Sequence, residues 1–314
     1  MLAIVRKELA DSFNSVRFFI LFLLMLGGCA WSLYEIQQAV RAIIAQNVAF
    51  TNSGFVFLAM FTYMPNLGLT QNSAAMLTPF SLLIPIIGIS LGFDAINSER
   101  SGRTLSRVLA QPVYRDGVIN GKFLAGLIVM AMMIGTSIAL TSGFGIRLIG
   151  VAPTEEEIVR LFLYFVIAVL YGAFWMGLAM LCSTVFNRVA GSLLVPLVLF
   201  IFLFAWMYIV PAMVPVDSSA TVNAQIHSLQ TEITLLRISP AYLFQEAYLV
   251  LLNPMPYGLG VMTREAAQYL TGNPLTLGES LLQVWPHIIG IISLSVVFFA
   301  ISYIVFVKQE VRAT

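Results

Sequence analysis

The chain has 314 residues, of which 59% are hydrophobic and only 10% charged, and its mean hydropathy is +0.91. Soluble domains carry about 25% charged residues, so this composition excludes a water-soluble enzyme or a nucleic-acid-binding domain and requires a membrane. The net charge of +1 conceals a separation of sign between the two membrane sides, and the two cysteines, Cys29 and Cys182, lie inside apolar runs without disulfide or metal-ligand spacing.

Residues 1–17, MLAIVRKELADSFNSVR, put Leu2, Val5, Leu9 and Phe13 on one helical face and Arg6, Lys7 and Asp11 elsewhere. That pattern fits an amphipathic helix lying on the inner membrane surface, and equally a plain juxtamembrane anchor. Both place Arg6, Lys7 and Glu8 at that surface. Leu26-Gly27-Gly28-Cys29 resembles a lipoprotein cleavage site, but the start before it contains Glu8 and Asp11 and the apolar run continues through Trp31. A signal peptide has a short basic start, so a spanning helix is expected instead, with Gly27 and Gly28 letting a neighbouring helix approach.

About 20 apolar residues cover the hydrocarbon core, and six segments approach that length: 18–34, 79–97, 122–146, 161–186, 190–211 and 286–307. Blocks of period-2 alternation are missing, which excludes a transmembrane barrel. Pro79 and Pro286 read as helix starts, whereas Pro85 and Pro196 fall inside spans. The expected fold is all-α: one polytopic domain over residues 1–314 with six transmembrane helices, an N-terminal interfacial helix and a polar loop, 94–122, between helices 2 and 3.

Lys and Arg mark the cytoplasmic side. With the N-terminus inside, that side holds Arg6, Lys7, Arg17, Arg100, Arg103, Arg107, Arg115, Lys122, Arg188, Lys308 and Arg312, leaving Arg41, Arg147, Arg160, Arg237 and Arg264 outside. Trp31, Trp206 and Trp285 fall at the outer ends, as an aromatic belt would. Both termini are therefore expected in the cytoplasm and the chain in the cell's cytoplasmic membrane.

Two sizeable segments lie on the outer side, 35–78 and 212–285. The second reads as a polar helix, 218–237, followed by an apolar stretch, 242–260, broken at Asn253-Pro254-Met255-Pro256. A re-entrant hairpin with its backbone buried in protein suits that pattern. Thr154 with Glu157 three residues later is a capping box, and Glu155, Glu156 and Glu157 suit the positive helix end.

The search for chemistry is mostly negative. Glu155-Glu156 with Arg160 matches part of the set used by intramembrane CAAX-type proteases, but those enzymes need histidines from other helices. His227 falls in an outer loop and His287 at an outer helix end, so helix capping explains the carboxylates. The same two histidines make an intramembrane haem pair improbable, and a Gly-x-Ser-x-Gly elbow is missing. Gly117 to Phe123 departs from a phosphate-binding loop in its glycine spacing and in Phe123 replacing the magnesium-binding hydroxyl. Spans nearly free of ionisable side chains argue against an ion-coupled carrier. A transporter without such a relay takes its energy from a partner.

The loop 94–122 matters most. Leu105, Val108 and Leu109 share one face of a short helix and Arg100, Arg103 and Arg107 another. Resting on anionic headgroups would explain the basic residues alone. Glu99-Arg100, Gly102-Arg103-Thr104-Leu105, Leu109, Pro112, Arg115 and Gly121-Lys122 resemble the cytoplasmic signature of ABC-2 type transporter permeases. Arg6-Lys7-Glu8-Leu9 is similar to the interfacial helix that opens those proteins. The large outer segments and size also suggest the branch that contains the permease for copper-site maturation of nitrous oxide reductase.

The resemblance implies a permease subunit of an ATP-driven ABC transporter, with a lean to export. It implies a second permease copy, identical or paralogous, and a separate ATP-binding subunit that carries the ATP, the magnesium and the hydrolysis. The chain itself would then be no enzyme and hold no cofactor or metal. Glu99, Arg100, Arg103, Thr104, Leu105 and Leu109 would form the coupling helix on which the ATPase docks, with Arg6, Lys7 and Glu8 in the interfacial helix. The readings from other classes are a membrane-embedded assembly protein, and an ion-coupled carrier or channel without an ATPase.

Overall fold

A computed structural model describes residues 2–45, 57–58, 61, 79–101, 115–149, 152–214, 221–252 and 275–308, and helices account for nearly all of them. In chain order these are α1 (Leu2–Phe13), α2 (Val16–Ala45), α3 (Pro79–Gly92), α4 (Asn97–Ser101), α5 (Arg115–Ile149), α6 (Glu155–Val185), α7 (Val189–Met213), α8 (Val222–Leu236), α9 (Pro240–Leu252) and α10 (Leu277–Lys308). Among the described residues, six stretches are long and apolar enough to cross a membrane: α2, α3 continued through α4, α5, α6, α7 and α10. Hydrocarbon offers no water to backbone N–H and C=O groups, so these segments close their hydrogen bonds internally as helices. The all-α, six-span architecture expected from the sequence is the architecture observed.

The bundle is built around α6. Its spanning window is 72% buried, against 11% for α2, and it packs on α3, α5, α7, α9 and α10. Glycine sets its closest approach. A Cβ on Gly88 would sit 2.7 Å from the Gly172 carbonyl oxygen, and one on Gly92 would sit 2.6 Å from that of Met176. Gly88 and Gly92, four residues apart, thus let the α3 and α6 backbones touch, the small-xxx-small device of membrane helices. The sequence reading put close packing at Gly27, but a Cβ there would meet nothing within 4 Å. Gly27 lies on an exposed face of α2.

On the other face of α6, the short α9 wedges into the bundle. Phe244, Ala247, Tyr248 and Leu251 are buried, and the Phe244 ring stacks on Tyr171 at 4.4 Å and 5°. Its 13 residues reach only about 20 Å, too short to cross. The apolar stretch expected over 242–260 is therefore a buried, non-spanning helix as far as Leu252, and the bend at Asn253 to Pro256 lies outside the described residues. The polar helix expected over 218–237 is α8, fixed to α7 by the Trp206 Nε1–H donating to the Leu235 carbonyl at 2.9 Å.

Several boundaries differ from the sequence reading. Helix α2 continues to Ala45, because residues 35–45 are rich in Ala, Gln and Ile and contain no Gly or Pro to stop it. Pro286 sits inside α10 and does not start it. A capping box at Thr276–Glu279 begins that helix earlier, with the Thr276 N–H and hydroxyl donating to Glu279 Oε2 at 2.9 Å. The box expected at Thr154–Glu157 is present and starts α6 at Glu155. On the first helix, Val5 is buried but Leu2 is 76% exposed, and Ile4 packs inward in its place.

Candidate functional site

At the end of the bundle that carries α1, the chain leaves α3 by a run of tight turns. The Phe93 N–H donates to the Ile89 carbonyl, Ala95 to Gly92, and Ser98 to Asp94, so α3 passes into α4 without slack. Beneath this junction Ile96, Val118, Ile119, Met176, Met180 and Phe306 form an apolar floor drawn from α5, α6 and α10, with Ile4 of α1 against it. The floor fixes the height of the junction relative to three spans.

Polar contacts then fix its orientation. The backbone N–H groups of Ile96 and Asn97 donate to Ser183 Oγ on α6, at 3.1 and 3.2 Å. The Asn97 side-chain amide donates to Ser192 Oγ on α7 at 3.0 Å, and Ser192 Oγ donates in turn to the Val189 carbonyl. Arg17, at the start of α2, pairs with Asp94 and lies 5.3 Å above the Phe93 ring. The Ser183 and Ser192 contacts satisfy polar groups that burial would otherwise leave unpaired, which costs about 1–3 kcal/mol per group.

Lys122 closes the arrangement. Its Nζ is 2.8 Å from Glu8 Oε1 on α1 and 2.9 Å from Glu99 Oε1 on α4, and its side chain is only 7% exposed. A cation at this depth in a span needs carboxylates, and here one lysine ties the first helix and the segment after α3 to α5. Lys122 is the buried cation that both carboxylates share.

Of the residues assigned to ATPase docking, Glu99 is thus a buried partner of Lys122, and Arg100 belongs to α4. Arg103, Thr104, Leu105 and Leu109 lie outside the described residues. In the first helix Glu8 faces Lys122, while Lys7, 58% exposed, pairs loosely with Glu8 and Asp11, and Arg6 points outward. Sequence reasoning missed the central part of Lys122. The signal was available, a cation just inside a span with a carboxylate in each flanking polar segment. For Ser183 and Ser192 no signal existed, since serine in a span ordinarily bonds to its own helix.

The opposite end is held differently. Arg160, expected in an outer connection, lies inside α6 and is fully buried. Its guanidinium donates to Glu156 Oε1 through Nε and Nη2 at 3.0 and 2.7 Å, and to Ser280 Oγ and the Leu251 and Leu275 carbonyls at 2.7 to 3.1 Å. The planar fork suits several acceptors at once, and it ties α6, α9 and α10 together. Nearby, Glu246 of α9 accepts from Arg237 and lies 2.7 Å from His287 Nε2. Burial alone would raise the Glu246 carboxyl, but hydrogen bonds and charge from His287 and Arg237 outweigh it and bring the group below its ordinary value. Arg160 and His287, read from sequence as lying at helix ends, are therefore interior struts.

An all-helical bundle with six spans is the architecture that the sequence resemblance implies. A family model described as ABC-2 family transporter protein matches residues 2–311. The chain belongs to the ABC-2 transporter family. Among curated proteins it is similar to a "Probable ABC transporter permease protein NosY" of Pseudomonas aeruginosa, 28% identical over 195 residues, covering 60% of this chain and 58% of that protein. A protein of the same name from Stutzerimonas stutzeri is 30% identical over 117 residues, or 37% of this chain and 38% of that one. The ABC-2 chain thus aligns with less than two thirds of the length of these relatives.

Proposed function

We propose that this chain is the permease subunit of an ABC transporter, an exporter whose energy comes from ATP bound and hydrolysed, with magnesium, on a separate subunit. It sits in the cytoplasmic membrane as a single permease domain with both termini in the cytoplasm, paired with a second permease copy. The ATPase docks on the segment from Glu99 to Leu109, with Arg100, Arg103, Thr104, Leu105 and Leu109 making the contact. Family membership and the names of the relatives support this reading.

The observation that carries it is the rigid entry to that segment. A push on residues after Glu99 meets Asn97 bonded to α6 and α7, and Glu99 bonded through Lys122 to α5 and α1. Displacement is then passed to several spans together, because the described residues 92–101 join α3 to α4 by tight turns. An apolar path between two permeases suits an amphipathic or lipidic substrate.

The test is affinity purification of the chain in mild detergent with mass spectrometry of whatever accompanies it. A polypeptide containing G-x-x-x-x-G-K-[ST] should copurify. Reversing charge at Arg100→Glu and Arg103→Glu should cut its recovery by about tenfold or more, since interfacial charge contacts are worth a few kcal/mol. Equal recovery from the double variant removes the docking role.

A further inference from the structure

Between α1, α2, α3 and α5 lies a cleft of about 520 Å³, within the roughly 300–1,000 Å³ of small-ligand sites. The contacts already described leave it open. It lies level with the ends of three spans, where those containing Val16 and Asp116 begin and the one ending at Glu99 stops. That level is the boundary between headgroups and hydrocarbon.

The lining changes character with depth. Phe18, Leu21 and Leu91 form an apolar wall along the spans, and Met133 lies deeper still. Toward the surface stand Lys7, Asp11, Arg17 and Asp94. Glu8, Lys122 and Glu99 also border the cleft but are closed on one another. Two cations and two carboxylates therefore remain to face an occupant. The Lys7 to Asp11 pair is long, 3.8 Å, with side chains 58% and 65% exposed, whereas Arg17, 59% exposed, is closed on Asp94, whose side chain is 20% exposed. An exposed pair such as Lys7 to Asp11 is worth about 0–1 kcal/mol, and a ligand bearing both charges replaces the Arg17–Asp94 contact with one of the same kind on each side.

We propose that this cleft binds one zwitterionic phospholipid with a primary-amine headgroup. The ammonium bonds Asp94 and Asp11, the phosphate bonds Arg17 and Lys7, and an acyl chain lies along Phe18, Leu21 and Leu91. Balanced charge disfavours an anionic lipid, whose phosphate would gain the cations but leave both carboxylates facing negative charge. A quaternary amine is disfavoured because it has no N–H to offer two carboxylates, whereas an ammonium has three donors. The lipid would join α1 to α2 and α3 where protein contacts are weakest.

The test uses the purified full chain in nanodiscs made from equal parts of phosphatidylethanolamine, phosphatidylcholine and phosphatidylglycerol. Gentle detergent release and native mass spectrometry then count retained lipids. The wild type should keep a single phosphatidylethanolamine. Asp11→Asn with Asp94→Asn should lower its retention by about tenfold, the value of a lost charge-assisted hydrogen bond. Ser12→Trp fills the cleft without touching its charges and should lower retention to the same degree. Asp116→Asn, exposed and outside the cleft, should leave it unchanged. Equal retention of the three lipids, preference for phosphatidylglycerol, or wild-type retention in Ser12→Trp each overturns the proposal. Displacement of the lipid by millimolar phosphoethanolamine would assign the site to a soluble amine phosphate and overturn its assignment to lipid.

Discussion

The two ends of the bundle bury charge in opposite ways. At one end Arg160 is fully enclosed, and it spends its donors on backbone carbonyls and a serine of α9 and α10 as well as on Glu156. Backbone acceptors do not rotate away, so that junction has one arrangement. At the other end Lys122 holds two carboxylates carried by separate short helices, and Arg17 and Asp94 form a half-exposed pair. Side-chain pairs on separate elements can re-form after a small shift. The contrast teaches that the Arg160 junction rests on acceptors that have one arrangement, whereas the Lys122 junction leans on ion pairs that can re-form after a small shift of the helices.

The largest effect should follow from removing Arg160. Arg160→Met keeps the volume but leaves two carbonyls and Ser280 without their donor, a loss on the order of 3–5 kcal/mol. A thermal melt of the purified chain should fall by on the order of 10 °C. Arg160→Lys should rescue little of it, because one ammonium cannot reproduce a planar fork. If Arg160→Met melts within about 2 °C of wild type, the fixed-end reading is wrong.

Lys122→Met tests the other junction. It removes the buried cation that Glu8 and Glu99 share, at a cost of about 1–3 kcal/mol. Amide exchange in Leu2–Phe13 and Asn97–Ser101 should accelerate by about ten- to a hundredfold, while α6 and α9 keep their protection. Acceleration spread evenly over the whole bundle would erase the distinction between the ends.

How much of this was readable beforehand follows from the kind of contact involved. The six spans, the capping box at Thr154, the polar helix before Leu236 and the family were legible, because each rests on local composition or spacing. Pro286 misled, because a proline can start a helix or sit inside one, and only the cap at Thr276 decides which. Gly88 and Gly92 carried the close packing expected at Gly27, a choice that depends on which helix is central. Arg160 and Lys122 were visible as charges near span ends. Glu156 is a local partner of Arg160, but the other contacts of Arg160 and Lys122 lie 91 to 120 and 23 to 114 residues away, and no local pattern announces those. Of the residues assigned to docking, Glu99 proved to be an internal strut, paired with Lys122.

The smallest effect should come from Glu246, and its sign follows from its surroundings. The folded carboxyl lies below its ordinary value because His287 and Arg237 outweigh the cost of burial. A group so shifted stabilises the fold fully above the ordinary glutamate range, and the contribution is lost as pH falls through the folded value. Arg237 is 40% exposed, which weakens its share by solvent screening. Glu246→Gln should therefore cost only about 1–2 kcal/mol at neutral pH, and the deficit should shrink toward zero below the ordinary carboxylate range. Thermal melts of wild type and Glu246→Gln across an acid series read this directly. Curves that converge on acidification fit a charged latch between α9 and α10, at the Arg160 end. Curves that stay parallel down to the acid limit would mean that Glu246 contributes packing alone, and would leave Arg160 as the charge that fixes that end.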